Sequence, residues 1–260
     1  MGKIKMPAAA FMGRVRSVPC IQKGIEALGY QITDTPKMAP RSEEGDILVL
    51  WNRLPTMAEA ADRYEAAGCP VIVCEHGWAG DETYAIARSQ HNGAGDWYIG
   101  TESRWPVFGI GVKPWRERGD HILVVPQRGM GTPPVAMPRE WPDWTVEHLK
   151  KITHRPVRVR NPKMRTRDPI ERDFADAHCV VTWASGGGIK AILNGIPVFY
   201  EMDQWIGADA AKKFNGMTAG DDLENPYLES RDRMLHRLSW AMWASEEIAG
   251  GDPFRCVLSL

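Results

Sequence analysis

The chain has 260 residues, 43% of them hydrophobic and 25% charged, and 32 basic against 33 acidic side chains leave a formal net charge of −1. That length holds one large domain or two smaller ones, each with a core of its own. The near-neutral balance advertises no nucleic-acid or membrane partner for the chain as a whole, and no apolar run approaches the ~18 residues of a membrane-spanning helix.

Five cysteines (Cys20, Cys69, Cys74, Cys179, Cys256) are odd in number and form no CxxC pair. Several lie in apolar runs, which points to buried free thiols in a reducing compartment. Near the N-terminus, Pro7-Ala-Ala-Ala-Phe-Met-Gly13 is a poor hydrophobic segment followed at once by Arg14 and Arg16. It is not the core of a signal peptide, so a cytoplasmic protein is expected.

Along the chain, Pro19 to Tyr30 carries Ile21, Ile25 and Leu28 at helical spacing. Thr33 to Gly45 is polar and proline-containing, a connecting loop. Asp46-Ile-Leu-Val-Leu-Trp51 has the continuous apolar character of a parallel strand. Thr56 to Ala67 predicts a helix capped by Thr56 with Glu59 in a capping box and Gly68 at its end, and Pro70-Val-Ile-Val-Cys74 predicts the next strand. Two polar, glycine-rich loops follow, Glu75-His-Gly-Trp-Ala-Gly-Asp81 and Ser89-Gln-His-Asn-Gly-Ala-Gly-Asp-Trp97. Near a strand's carboxyl end, Glu75, His76, Asp81, His91 and Asn92 are acid–base candidates, although turn-forming Asn and Asp are also ordinary loop residues.

Lys113 to Asp120 breaks the apolar pattern with proline and charge and predicts a linker. A second series opens with the strand His121-Ile-Leu-Val-Val-Pro126 and the loop Gln127-Arg-Gly-Met-Gly131, where Arg128 and Gly129 suit a phosphate. Trp141 to Ile152 predicts an amphipathic helix, and Pro156-Val-Arg-Val-Arg160 a short strand. From Lys150 to Arg172 basic residues predominate, including Arg158, Arg160, Lys163, Arg165 and Arg167, which is either a solvated face or a phosphate-binding patch.

Then comes the stretch with the most defined local logic. Cys179 to Trp183 is too short and too β-branched for a helix, Ser185-Gly186-Gly187-Gly188 follows, and Ile189 to Leu193 returns to helical spacing until Gly195. Ile196-Pro-Val-Phe199 starts another strand, completing a βαβ unit whose loop lies at a strand's carboxyl end. Main-chain N–H groups there either meet an anion or belong to a glycine turn that lets helix and sheet pack closely. The tail from Asp232 to Ile248 predicts one helix, with Gly250-Gly251 ending it. The expected layout is α/β: two Rossmann-like domains, 1–118 and 119–260, facing a cleft, with a C-terminal helix packing back.

Taken in order, the Glu75–Asp81 loop, His91-Asn92-Gly93, Lys113-Pro-Trp-Arg116, Ile122–Gly129, Val157-Arg-Val-Arg160, Ser185–Val198 and the tail Trp243–Gly250 resemble glycosyltransferases of the GT-B fold. The likeness is greatest to capsular-polysaccharide-type and phage-encoded DNA-modifying members. It implies an N-terminal half that presents the acceptor and a C-terminal half that binds a nucleotide-sugar donor, a UDP-sugar first among the choices. The diphosphate is then expected against Ser185, Gly186, Gly187 and Gly188 with Arg128, Gly129 and Arg158 or Arg160. Basic side chains and helix dipoles neutralise the leaving group in such enzymes, so no metal and no tightly bound cofactor is expected. Many members hold the donor ribose with a glutamate on the helix after the glycine loop; here that position is Lys190, which passes the role to Glu201 or Asp203.

The resemblance further implies a catalytic base among Asp81, His91 and Glu75, and an acceptor side with His76, Trp78, Asn92 and Trp97. For the acceptor, a hydroxymethyl pyrimidine in DNA is preferred, with the Lys150–Arg172 segment meeting phosphates and the aromatics stacking on a flipped base. A phage-encoded enzyme of that kind would work in the host cytoplasm. The alternatives are a surface-glycan enzyme of the capsule type, and a nucleotide-binding protein without catalysis. No membrane partner is expected.

Overall fold

The computed structural model describes residues 6–91, 93–160, 169–215, 219–226, 228 and 230–260. Packing divides the chain into two compact units, one of Met1–Arg104 with Ser239–Leu260 and one of Trp105–Leu238. Both are mixed α/β, each built on a parallel-rich sheet.

In chain order, the first unit runs β1 (Ala8–Met12), α1 (Pro19–Ala27), β2 (Gln31–Thr33), β3 (Ile47–Trp51), α2 (Pro55–Ala66), β4 (Val71–His76) and β5 (Thr83–Arg88). The second contains β6 (His121–Val125), α3 (Trp141–Ile152), β7 (Val157–Val159), α4 (Ile170–Asp173), β8 (Ala177–Thr182), α5 (Gly186–Leu193), β9 (Val198–Tyr200), β10 (Lys212–Lys213) and α6 (Gly220–Glu224). Helix α7 (Asp232–Ala241) leads back to the first unit, which closes with β11 (Met242–Ala244), α8 (Ser245–Ala249) and α9 (Asp252–Leu258).

The first sheet has the order β11-β5-β4-β3-β1-β2, with β2, β1, β3 and β4 parallel and β5 and β11 antiparallel additions. The two-residue alternation of a strand sends its side chains to opposite faces. Ala9, Phe11, Ile47, Val49, Trp51, Ile72 and Cys74 join one core with Ile21 and Ile25 of α1, Ile248 of α8 and Phe254 and Val257 of α9. Ala10, Leu48, Leu50, Val71 and Val73 join the other with Met57, Ala60, Ala61 and Tyr64 of α2. Both faces are covered, which is why β3 is buried at all five positions.

The second sheet, β10-β9-β8-β6-β7, is parallel throughout. Ile122, Val124, Cys179, Val181 and Phe199 pack one of its faces against Trp141 and Leu149 of α3. Both sheets share one topology: the first strand lies inside, the second pairs on one flank, and the third and fourth follow on the other. The winding therefore reverses between β1 and β3 in one unit and between β6 and β8 in the other. Beyond the carboxyl ends of such strands the connecting loops diverge and leave a crevice.

Several local expectations differ from this arrangement. Units close at 104/105 and 238/239 rather than at 118/119, because the proline-rich segment is stitched into the second unit: Lys113 N–H donates to Leu193 O at 2.9 Å and Arg116 N–H to Gly195 O at 2.6 Å. The tail is not one helix; three residues leave it as β11 to pair with β5. Helix α2 starts at Pro55, with Leu54 at the cap position and no side-chain cap, since proline's fixed φ already suits the first helical residue. The weakly hydrophobic Ala8–Met12 is an internal strand. All five cysteines are free thiols, and burial pushes Cys179 up to about 12.

Candidate functional site

The crevice between β6 and β8 is organised by Thr182, the last residue of β8 and fully buried. Its hydroxyl donates to Val125 O at 2.8 Å, tying together the carboxyl ends of the two strands. The same oxygen accepts the Ser185 N–H at 3.0 Å and so sets the start of α5. Ser185 is the N-cap in extended conformation, and its Oγ accepts the Gly187 N–H at 3.1 Å. Gly188 N–H returns to Ser185 O at 2.9 Å.

This departs from a row of bare main-chain donors. Of the four N–H groups of Ser185 to Gly188, three are engaged by the protein, and Gly186 is the one that no described residue engages. Gly187 and Gly188 are glycines for packing: a Cβ on Gly187 would lie 2.8 Å from Val125 Cγ1, and one on Gly188 2.8 Å from the Trp205 ring. The helix begins at Gly186, so the triplet is its first turn rather than a loop before it. The Gly186 N–H and the positive end of the α5 dipole remain for an anion, and Arg128 is exposed on the loop leaving β6. Gly129 beside it is exposed with φ +63°, a left-handed turn that lets the loop fold back toward Met137.

Glu201, directly after β9, lines the same edge. Its N–H bonds to Thr182 O and Trp183 O, both at 3.1 Å. Burial holds the half-buried carboxyl above its usual range, against the opposing pull of the Trp141 N–H and the Lys213 charge. Trp141 meets Trp183 edge-on at 6.0 Å, and Trp183 Nε1 donates to Pro134 O at 3.2 Å. A carboxylate oriented by an indole, with aromatic walls around it, is suited to hold a diol or an exocyclic amine. Asp203 is instead exposed and paired with Lys213, whose hydrogen bond holds it below the usual carboxylate range. Sequence reasoning did not single out Thr182, Trp141 or Gln127. The Gln127 side-chain amide is buried right after β6 with no hydrogen-bond partner among the described residues, a fact about burial that no local pattern encodes.

Arg158 and Arg160, in and just after β7, are placed differently from expectation. Arg160 forms an ion pair with Asp173, and Arg158 is exposed in mid-strand, its charge felt by His121 at the amino end of β6 rather than at the carboxyl edge. Arg155 pairs with Glu224 at 2.7 Å. Lys163, Arg165 and Arg167 lie outside the described residues.

In the first unit the expected residues are dispersed. Glu75 and the exposed His76 end β4, and Asp81 is exposed on the hairpin to β5. His91 is only 2% exposed and its Nδ1 accepts the Arg53 N–H at 3.1 Å, the geometry of a loop anchor. Arg53 in turn binds Asp62 at 2.7 Å, Glu65 at 2.6 Å and Ser89 O at 2.7 Å. Trp78 is buried and meets Trp97 edge-on at 5.6 Å, so that pair packs loop on loop. Asn92 lies outside the described residues. Among the described residues no three His, Cys, Asp or Glu side chains are grouped to hold a metal ion, and no helix is long and apolar enough to cross a membrane.

No protein-family model and no curated protein matches the chain. Solved structures do. The chain is similar to the β Kdo 2,7 transferase of Thermosulfurimonas dismutans KpsC, with a TM-score of 0.58 and 11% identity over 96% of this chain and 99% of that one. It is also similar to the β Kdo 2,4 transferase of the same KpsC, with a TM-score of 0.57 and 11% identity over 92% of each chain. At such identity the likeness is one of fold, and it extends along nearly the whole chain.

Proposed function

We propose that the chain is a glycosyltransferase of the capsule type, moving a sugar from a nucleotide-sugar donor to a hydroxyl of a glycan acceptor. The observation that carries this reading is the near-full-length fold likeness to two Kdo transferases. The crevice beyond β6 and β8 is the proposed donor site. There the Gly186 N–H, the α5 dipole and Arg128 take the phosphate, and Glu201 takes the ribose hydroxyls in place of a helix glutamate. Positive groups fixed at the departing phosphate lower the barrier by stabilising charge as the glycosidic bond breaks. A general base must accept the acceptor's hydroxyl proton, and Asp81, exposed on its hairpin, is the proposed base. His91 is better suited to positioning, since its Nδ1 is already bonded to the Arg53 N–H. No metal enters this scheme.

The commitment of Arg155 and Arg160 to Glu224 and Asp173 removes two cations from the segment expected to meet DNA phosphates, so a glycan is preferred to a DNA acceptor. The test is a panel of nucleoside monophosphate and diphosphate sugars offered with acidic oligosaccharides and with hydroxymethylated DNA. Nucleotide release and mass gain on the acceptor are the readouts, with and without EDTA. Glycan-dependent release that persists in EDTA and shows a raised donor KM in Arg128→Ala and Glu201→Gln is expected. A wild-type protein that binds no nucleotide at millimolar concentration would overturn the reading, and mass gain confined to DNA would replace the acceptor.

A further inference from the structure

We propose a second ligand site within the first unit, at the crevice between β1 and β3, where Arg14, Asn52 and His76 hold an oxyanion-bearing sugar. It rests on the glycosyltransferase reading only in naming that sugar the acceptor.

The site is the counterpart, in the first sheet, of the crevice just described in the second. Three neighbouring parallel strands, β1, β3 and β4, end there, and each delivers one polar side chain. Met12 stands opposite Leu50 in the register of β1 and β3, which brings Gly13 beside Trp51. Gly13 has φ +73°, and a Cβ on it would lie 2.8 Å from Met57 Cε and 3.4 Å from Trp51 Cβ. Glycine alone turns the chain in that space, and the turn lays the next residue, Arg14, against the indole with its guanidinium 5.8 Å from the ring centre. Arg14 is exposed, and no carboxylate among the described residues pairs with it. Its neighbour Arg16, by contrast, is matched to Asp34.

From β3 comes Asn52, held in the left-handed region at φ +56° by its N–H bond to Cys74 O at 3.0 Å. Its side chain is half-buried, and no hydrogen bond joins its amide to another described residue. His76 ends β4, edge-on to Trp51 at 4.9 Å and stacked on Tyr84 at 5.9 Å, so its ring is fixed from two sides.

The chemistry follows from the donor set. A guanidinium steadied on an indole presents paired N–H groups that match the two oxygens of a carboxylate or the edge of a phosphate. An amide and an imidazole beside it both donate and accept, which suits sugar hydroxyls. The shared ligand chemistry is an oxyanion on a polyol.

The experiment titrates the full-length protein with methyl β-D-glucuronide, glucose 6-phosphate and methyl β-D-glucoside, reading dissociation constants by calorimetry or ligand-observed NMR. At least one anionic sugar should bind tenfold or more tightly than the neutral glucoside, and which one it is decides between carboxylate and phosphate. Arg14→Ala should abolish that preference and Arg14→Lys restore part of it. Asn52→Gly, which tolerates the left-handed backbone and removes only the amide, should weaken binding several-fold with an unchanged melting temperature. Equal affinity for all three sugars, or a preference that survives Arg14→Ala, overturns the proposal. Binding of CMP and UMP, measured in the same variants, should be unaffected. Loss of nucleotide binding in the wild type would refute the donor reading and leave this site standing.

Discussion

Replacing Thr182 by valine removes a hydroxyl and almost nothing else, because the two side chains have nearly the same shape. That oxygen donates to Val125 O at 2.8 Å and accepts from Ser185 N at 3.0 Å, inside a site where Thr182 is fully buried and Val125 is 3% exposed. A buried polar group left without its partner costs about 1–3 kcal/mol. Two such groups are stranded here, one of them only partly buried, so about 2–4 kcal/mol of stability should be lost. Against a typical reserve of about 5–15 kcal/mol the variant still folds. Urea unfolding followed by tryptophan fluorescence measures the loss, and Ser185→Ala provides the scale, since a missing cap costs about 1 kcal/mol. Because the same hydroxyl sets the position of the α5 start, nucleotide affinity should fall along with stability. A Thr182→Val protein within about 0.5 kcal/mol of the parent and with unchanged nucleotide affinity would refute the argument that this hydroxyl builds the site.

Three further outcomes follow from the same geometry. Gly188→Ala drives a methyl to 2.8 Å from the Trp205 ring and 3.0 Å from Thr182 Cγ2, so overpacking should cost about 1–3 kcal/mol in a denaturant melt; a neutral result would mean that the indole yields freely. Arg53→Met should be the more destabilising, since the buried Arg53 side chain ties the half-buried Ser89 O and Glu65 together, whereas Asp62→Asn, at an exposed carboxylate, should cost less than about 1 kcal/mol; equal effects would contradict that ranking. The third outcome concerns pH. Burial, reinforced by Arg158, lowers His121, with Asp176 and Asp120 opposing; burial, reinforced by Arg155, lowers His178, with Leu223 O and Glu224 opposing. Because the folded values lie below the unfolded one, their stabilisation is complete above about pH 6.5 and is lost as pH falls through the folded values, with a slope of up to about 1.4 kcal/mol per pH unit for each. Urea melts between pH 7.5 and 5 should show this decline, and it should be shallower in a His121→Phe, His178→Gln variant; identical slopes would remove these two histidines from the account.

How far the site is legible in the primary structure depends on the residue. The βαβ unit around Ser185 is written locally, because a short β-branched run, a capping serine, three glycines and a helical apolar spacing are neighbours in the chain. The strands β3, β4 and β6 announce themselves in the same way, being apolar at every buried position except His121 of β6. Ala8–Met12 does not: three alanines carry little hydrophobic signal, and the strand owes its place to pairing with both β2 and β3. Met242–Ala244 continues a helical pattern and leaves it only because the free edge of β5 offers it hydrogen bonds. The glycine triplet is legible as a feature and ambiguous in purpose, since packing and anion binding favour the same residue.

Residue order alone thus determined the alternation of elements, the parallel character of the strands and the capped start of α5, all of which arise from interactions between near neighbours. Tertiary structure decided which groups still have bonds to offer. Three of the four amides at that helix start are satisfied from within, Arg160 is spent on Asp173, and His91 is bound to the main chain of Arg53. Arg14 and Asn52, nearly forty residues apart, follow the carboxyl ends of neighbouring strands without such partners among the described residues. A hydrogen bond consumes its donor wherever in the chain the acceptor comes from, so the remaining capacity of a side chain is known only once the fold has assembled its surroundings.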